Sequence, residues 1–104
     1  MKSCNQRALA EAASDFFEQD LRELKSNSRL RRLAWPRNIC MYIADRAQIK
    51  KSLIGRFWNR DRTIVYNAII KVKNDLDVDP KRRHQFFEFS DYLKERDIFK
   101  GHLI

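Results

Sequence analysis

The sequence predicts an all-α fold, a compact helical bundle, on three grounds. Glycine and proline number only two each, so few positions punctuate the chain. Apolar residues recur at three- and four-residue steps, and little of the sequence alternates as strands do. A chain of 104 residues makes one domain, here residues 1–104, large enough to bury roughly two-thirds of its unfolded surface.

Ala8 to Lys25 reads as a single amphipathic helix. Leu9, Ala12, Ala13, Phe16, Phe17, Leu21 and Leu24 face inward; Glu11, Asp15, Glu18, Asp20 and Arg22 face water. Ser26-Asn27-Ser28 then leads into a basic stretch, Arg29 to Arg32, expected as an exposed loop. Pro36 is placed to begin the next helix, because proline is tolerated in a first turn. That helix should bury Ile39, Cys40, Tyr42 and Ile43 and end near Arg46. A short helix from about Ile49 to Phe57 follows, with Leu53 and Phe57 inward and Trp58-Asn59 in the turn. Asp61 suits the N-cap of a helix running to about Lys73. Asp75 to Pro80 breaks the pattern, and residues 81–96 form a last helix with Phe86, Phe87, Phe89 and Tyr92-Leu93 as its apolar content. The last eight residues are expected as a loose tail.

Charge is segregated along the chain. Residues 1–20 are net −2 and residues 74–104 net −1, whereas residues 22–73 carry fourteen basic and three acidic side chains, net +11. A basic excess confined to one segment is the footprint of a polyanion partner. Within it lies NRDRTIVYNA, Asn59 to Ala68. Val65, Ala68, Ile69 and Val72 would face a core, leaving Arg60, Asp61, Arg62 and Thr63 at the leading end. A core-facing stripe behind a polar tip is the layout of a helix-turn-helix recognition helix, whose first residues touch base edges. Ordinary capping chemistry would also explain Asp61.

Four blocks carry a resemblance to a known family. They are Phe16-Phe17 before Leu21 and Glu23-Leu24-Lys25-Ser26; the basic run SRLRRLAWPRN (28–38); IGRFWNRDRTIVYNA (54–68); and a closing helix after Asp79. In this order they resemble the C-terminal DNA-binding domain of the DnaA replication-initiator family, over about residues 12–93. The resemblance implies a helix-turn-helix bundle of the Trp-repressor type, at about residues 49–73, and recognition of a short double-stranded DNA box. It implies base reading in the major groove by Asp61 and Thr63, with Arg62, Tyr66 and Asn67 expected to read bases beside them, and minor-groove entry by Arg29 and Arg31. Arg32, Arg37, Lys50, Lys51, Arg60 and Lys71 are the expected phosphate contacts. The family's His stands as Arg62 here, its second Thr as Ile64 and its later His as Asn67. Arginine favours guanine O6/N7, whereas isoleucine can only pack on a methyl group or fill space. The preferred sequence is therefore expected to differ from the usual box at one or two base pairs.

Other chemistries find little footing. The only glycines are Gly55 and Gly101, so no phosphate-binding G-x-x-x-x-G-K-[ST] loop exists and the ATPase of a full initiator has no counterpart. No serine stands in a nucleophile elbow. No enzyme activity, cofactor or metal is expected. Asp75, Asp77 and Asp79 have the spacing that opens a calcium loop, but Pro80 and Phe86 replace its glycine and its bidentate glutamate. His84 and His102 read as surface residues, Cys4 as part of a frayed end, Cys40, Trp35 and Trp58 as core. No apolar run reaches the ~18 residues of a membrane span, so a cytoplasmic, nucleoid-associated protein is expected, with Met1 suggesting a whole gene product. The expected partner is double-stranded DNA, bound as a monomer, with regulation of replication initiation or transcription by site occupancy. The alternative is a protein-interaction module whose basic face docks an acidic replication partner, such as an initiator.

Overall fold

The computed structural model describes residues 5–98; Cys4, Gly101, His102 and most of the expected tail lie outside them. Among the described residues the chain forms six helices: α1 Gln6–Phe17, α2 Leu21–Leu24, α3 Arg31–Arg46, α4 Lys51–Trp58, α5 Arg62–Val78 and α6 Pro80–Glu95. The all-α expectation holds, and α3 lies at the centre, packed against α1, α2, α4 and α5. Leu33, Ile39, Cys40, Met41, Ile43 and Ala44 of α3 are all essentially buried, which requires neighbours on nearly every side.

The single helix expected over 8–25 is two. Glu18 takes the left-handed conformation (φ 56°) and Gln19 N–H closes back on Ser14 C=O at 3.0 Å. Asp20 then accepts from the N–H groups of Arg22 and Glu23. A short acceptor side chain offers the backbone this alternative to a continuous ladder, so it ends one helix and starts another.

The second expectation to change is the start of α3. Pro36 stands inside this helix, which begins five residues earlier at Arg31. Leu33 and Trp35 are buried, and their burial holds the upstream turn in the helix although Pro36 has no N–H to complete the ladder there. α5 likewise runs on to Val78, and Asp79 caps α6 with Pro80 in its first turn. Proline here starts a helix directly behind the previous one instead of marking a loop.

Leu53, expected inward, is 45% exposed; the buried stripe of α4 is Ile54, Gly55 and Trp58, with Phe57 half-buried. The α6 stripe is Phe86, Phe89 and Leu93, while Phe87 points outward. Phe16 and Phe17 meet Phe89 at ring-centroid distances of 5.2 and 5.3 Å, and Tyr92 closes on Phe16 at 5.2 Å. This aromatic cluster staples the first helix to the last. Cys40 and Trp35 are buried as expected, and Trp58, expected in the turn, is the buried last residue of α4.

Candidate nucleic-acid interface

The turn between α4 and α5 is built from backbone closures. Asn59 adopts φ 57°, and Arg60 N–H bonds Gly55 C=O at 2.8 Å. An asparagine is among the few residues that take this conformation cheaply. Gly55 permits the approach: a Cβ there would lie 2.3 Å from the Arg60 carbonyl oxygen. Asp61 then caps α5, its Oδ1 accepting from Ile64 N–H at 3.0 Å. Val65, Ala68, Ile69 and Val72 are buried, which locks the rotation of α5 about its axis. That rotation leaves Asp61, Arg62, Thr63, Tyr66 and Asn67 all exposed at its leading end.

The segment from Lys25 to Leu30 is fastened beside this tip. Arg37, only 6% exposed, donates from Nε to Leu24 C=O at 2.6 Å and from Nη1 to Ser28 C=O at 3.1 Å. Arg60 donates to Trp58 C=O at 2.7 Å and to Ser26 C=O. Arg37 Nη2 is buried without a partner among the described residues. Burial first, and then the positive charge of Arg60, lower the Arg37 pKa from the usual arginine value. The result is a cleft of about 610 Å³ whose walls include Ser28 and Arg29 on one side and Asn59, Arg60, Asp61 and Ile64 on the other. Arg29 and the start of α5 therefore share one face.

The basic residues expected at phosphates divide into three groups. Arg37 is buried and its guanidinium is held by backbone carbonyls, so it positions the loop instead of meeting phosphate, whereas the half-buried Arg60 is ordered by backbone carbonyls on the cleft wall and keeps a charge that no carboxylate among the described residues neutralises. Arg32 and Lys51 are not free. Arg32 bonds Glu23 at 3.1 Å and Gln19 at 2.7 Å, and Glu23 raises its pKa from the usual value, by hydrogen bonding and then by charge. Lys51 pairs with Asp45 at 3.0 Å. Lys50 and Lys71 remain exposed. The expected minor-groove residues also separate: Arg29 lies in the loop, whereas Arg31 is the first residue of α3.

Helix ends add a signal of their own. The first turns of α3 and α4 contain no acidic residue and no side-chain cap, yet begin Leu30-Arg31-Arg32 and Lys50-Lys51. Cations at a helix N-terminus oppose the macrodipole. The same arrangement attracts anions strongly, since backbone N–H groups and cations point the same way.

Sequence reasoning missed Arg82. It stacks over Trp35 at 4.3 Å, approaches Asp75 at 3.6 Å, and lines a small pocket with Arg31 and Lys71. It sits in the net-acidic third of the chain, so charge counting passed over it. Ile64, 47% exposed on the cleft wall, and Asn38 opposite were also missed as parts of one cleft; only the fold brings them together.

Comparison with known proteins agrees with this arrangement. Residues 7–72 match the family model described as the bacterial dnaA protein helix-turn-helix. The chain is 42% identical over 71 residues to the chromosomal replication initiator protein DnaA of Wolbachia pipientis wMel, covering 65% of this chain and 15% of that protein. It is 34% identical over 85 residues to the protein of the same name from Ehrlichia ruminantium (strain Gardel), covering 79% and 18%. The chain thus spans less than a fifth of the length of these two relatives. With the matched region holding α1 through most of α5, the chain belongs to the bacterial DnaA helix-turn-helix family.

Proposed function

We propose that the chain is a sequence-specific double-stranded DNA-binding protein that recognises a site resembling the DnaA box and regulates replication initiation or transcription by occupying it. The observation that supports this most is the exposed leading end of α5 beside the Arg29 cleft. Such a tip enters the major groove, with Arg62, Thr63, Tyr66 and Asn67 toward base edges. Asp61 already spends one carboxylate oxygen on its cap, which leaves Oδ2 to accept from a base amino group. Arg29 and Arg31 enter the adjacent minor groove, where narrow A·T-rich DNA attracts arginine. Lys50 and Lys71 neutralise phosphates on either side, with the N-termini of α3 and α4 adding backbone donors.

If Lys50, Lys71, Arg29 and Arg31 each displace about one counterion, log K falls with log salt at a slope of about −3.6. Gel shifts of random and selected duplexes across a salt series measure it. A slope near −1 contradicts this footprint. Failure to bind any duplex at moderate salt would favour the basic face as a dock for an acidic protein.

A further inference from the structure

A second surface lies at the far end of α5 from this tip. Tyr42 and Leu76 form a largely buried floor, and Phe87, 45% exposed, stands beside them. Arg46, Lys73 and Arg83 surround a groove of about 400 Å³, with Asp77 as its one acidic lining residue. We propose that this groove docks an acidic amphipathic helix of a protein partner, an apolar side chain of the partner seated against Phe87 and its carboxylates against Arg46, Lys73 and Arg83.

Charge complementarity selects that occupant. Arg46 and Lys73 are exposed and take part in no ion pair among the described residues. Arg83 is fixed by the α5 C-terminus, donating to Leu76 C=O at 2.8 Å and Asp77 C=O at 3.0 Å. Its guanidinium is thus held in place without being neutralised by a carboxylate. Three cations against one carboxylate leave the rim net positive, and Arg46, Lys73 and the exposed Phe87 do little for folding, since like charges repel and the ring stays wet. They suit a partner that supplies both halves: an apolar anchor, and carboxylates to match an arginine that is already ordered. The groove volume accommodates one or two side chains of leucine or phenylalanine size.

The surface is compatible with the DNA reading but does not depend on it. Lys73 lies about 16 Å along the helix axis from Arg62, beyond the turn that would enter a groove. A partner seated here could therefore be held while α5 is on DNA.

The test is a titration of the isotope-labelled full chain, followed by amide NMR shifts, with a synthetic peptide. In this peptide Leu and Phe recur at three- and four-residue steps among Glu and Asp. A scrambled peptide of the same composition is the control. The expected result is saturable binding of the patterned peptide, with shifts around Tyr42, Lys73, Leu76 and Phe87. The scrambled peptide should bind at least about tenfold more weakly, and Phe87→Ala and Lys73→Glu should each weaken binding by about tenfold. Equal binding of both peptides, unchanged binding by the two variants, or shifts centred on Arg62 and Tyr66 would overturn the proposal. Self-association of the chain through Phe87 with no peptide binding would overturn it too. Duplex binding is measured on the same samples: both variants should keep it, and its absence in the unsubstituted chain alongside peptide binding would sink the DNA reading alone.

Discussion

Arg37→Met is expected to cost about 3 kcal/mol of folding stability, because two hydrogen bonds from one buried guanidinium vanish together. Methionine preserves much of the side-chain volume but cannot donate, so Leu24 C=O and Ser28 C=O both lose their partner. A hydrogen bond from a charged donor contributes roughly 1.5–3 kcal/mol, and a buried carbonyl left unpaired costs about 1–3 kcal/mol. The charge itself is not the stabilising element. Burial and the nearby Arg60 both disfavour it, and removing it recovers part of the loss. For a domain of this size the change corresponds to a drop in Tm on the order of 10–20 °C. Arg37→Lys should restore little, because a single ammonium lacks the planar fork that reaches both carbonyls. Denaturant melts of the three proteins check this. A loss under about 1 kcal/mol would mean that the loop does not depend on Arg37.

Gly55→Ala is expected to destabilise by about 2 kcal/mol. Alanine in an ordinary helix interior would instead stabilise by about 1 kcal/mol relative to glycine, so the sign is the informative part. The added Cβ would overlap the Arg60 carbonyl, a backbone group that no rotamer change can move, while meeting the Val65 side chain only in ordinary contact at 3.4 Å. Relief requires α4 and α5 to move apart, and overpacking of this kind costs roughly 1–3 kcal/mol. Ser52→Ala, on the exposed face of the same helix, should change stability by no more than about 0.5 kcal/mol. Thermal melts of both variants separate crowding at the turn from a general effect of alanine.

The sequence made the fold class and the motif readable because both rest on local periodicity. Val65, Ala68, Ile69 and Val72 set the rotation of α5 without help from the remainder of the chain, and all four are buried. The exposure of Arg62 and Thr63 follows from that stripe. Element boundaries were less legible where a tertiary contact overrode a local rule. Pro36 signals a helix start, yet burial of Leu33 and Trp35 carries the helix upstream of it. Cations were the least legible. Nothing local distinguishes Arg37 and Arg60, which bond backbone carbonyls, from Arg29 and Lys50, which stay exposed. The partners of Arg37 are thirteen and nine residues away, and Arg60 reaches back thirty-four residues to Ser26. Arg82 escaped notice for the related reason that its indole partner, Trp35, is distant in sequence.

The most direct test of the central claim, that the leading end of α5 reads nucleotides, is the affinity of Arg62→Ala across duplexes varied one base pair at a time. A bidentate arginine–guanine contact predicts a loss of about 1–3 kcal/mol, confined to one base pair whose preference relaxes in the variant. Equal weakening on every duplex would make Arg62 a phosphate contact, and no weakening on any of them would remove Arg62 from the interface and contradict its role in reading nucleotides.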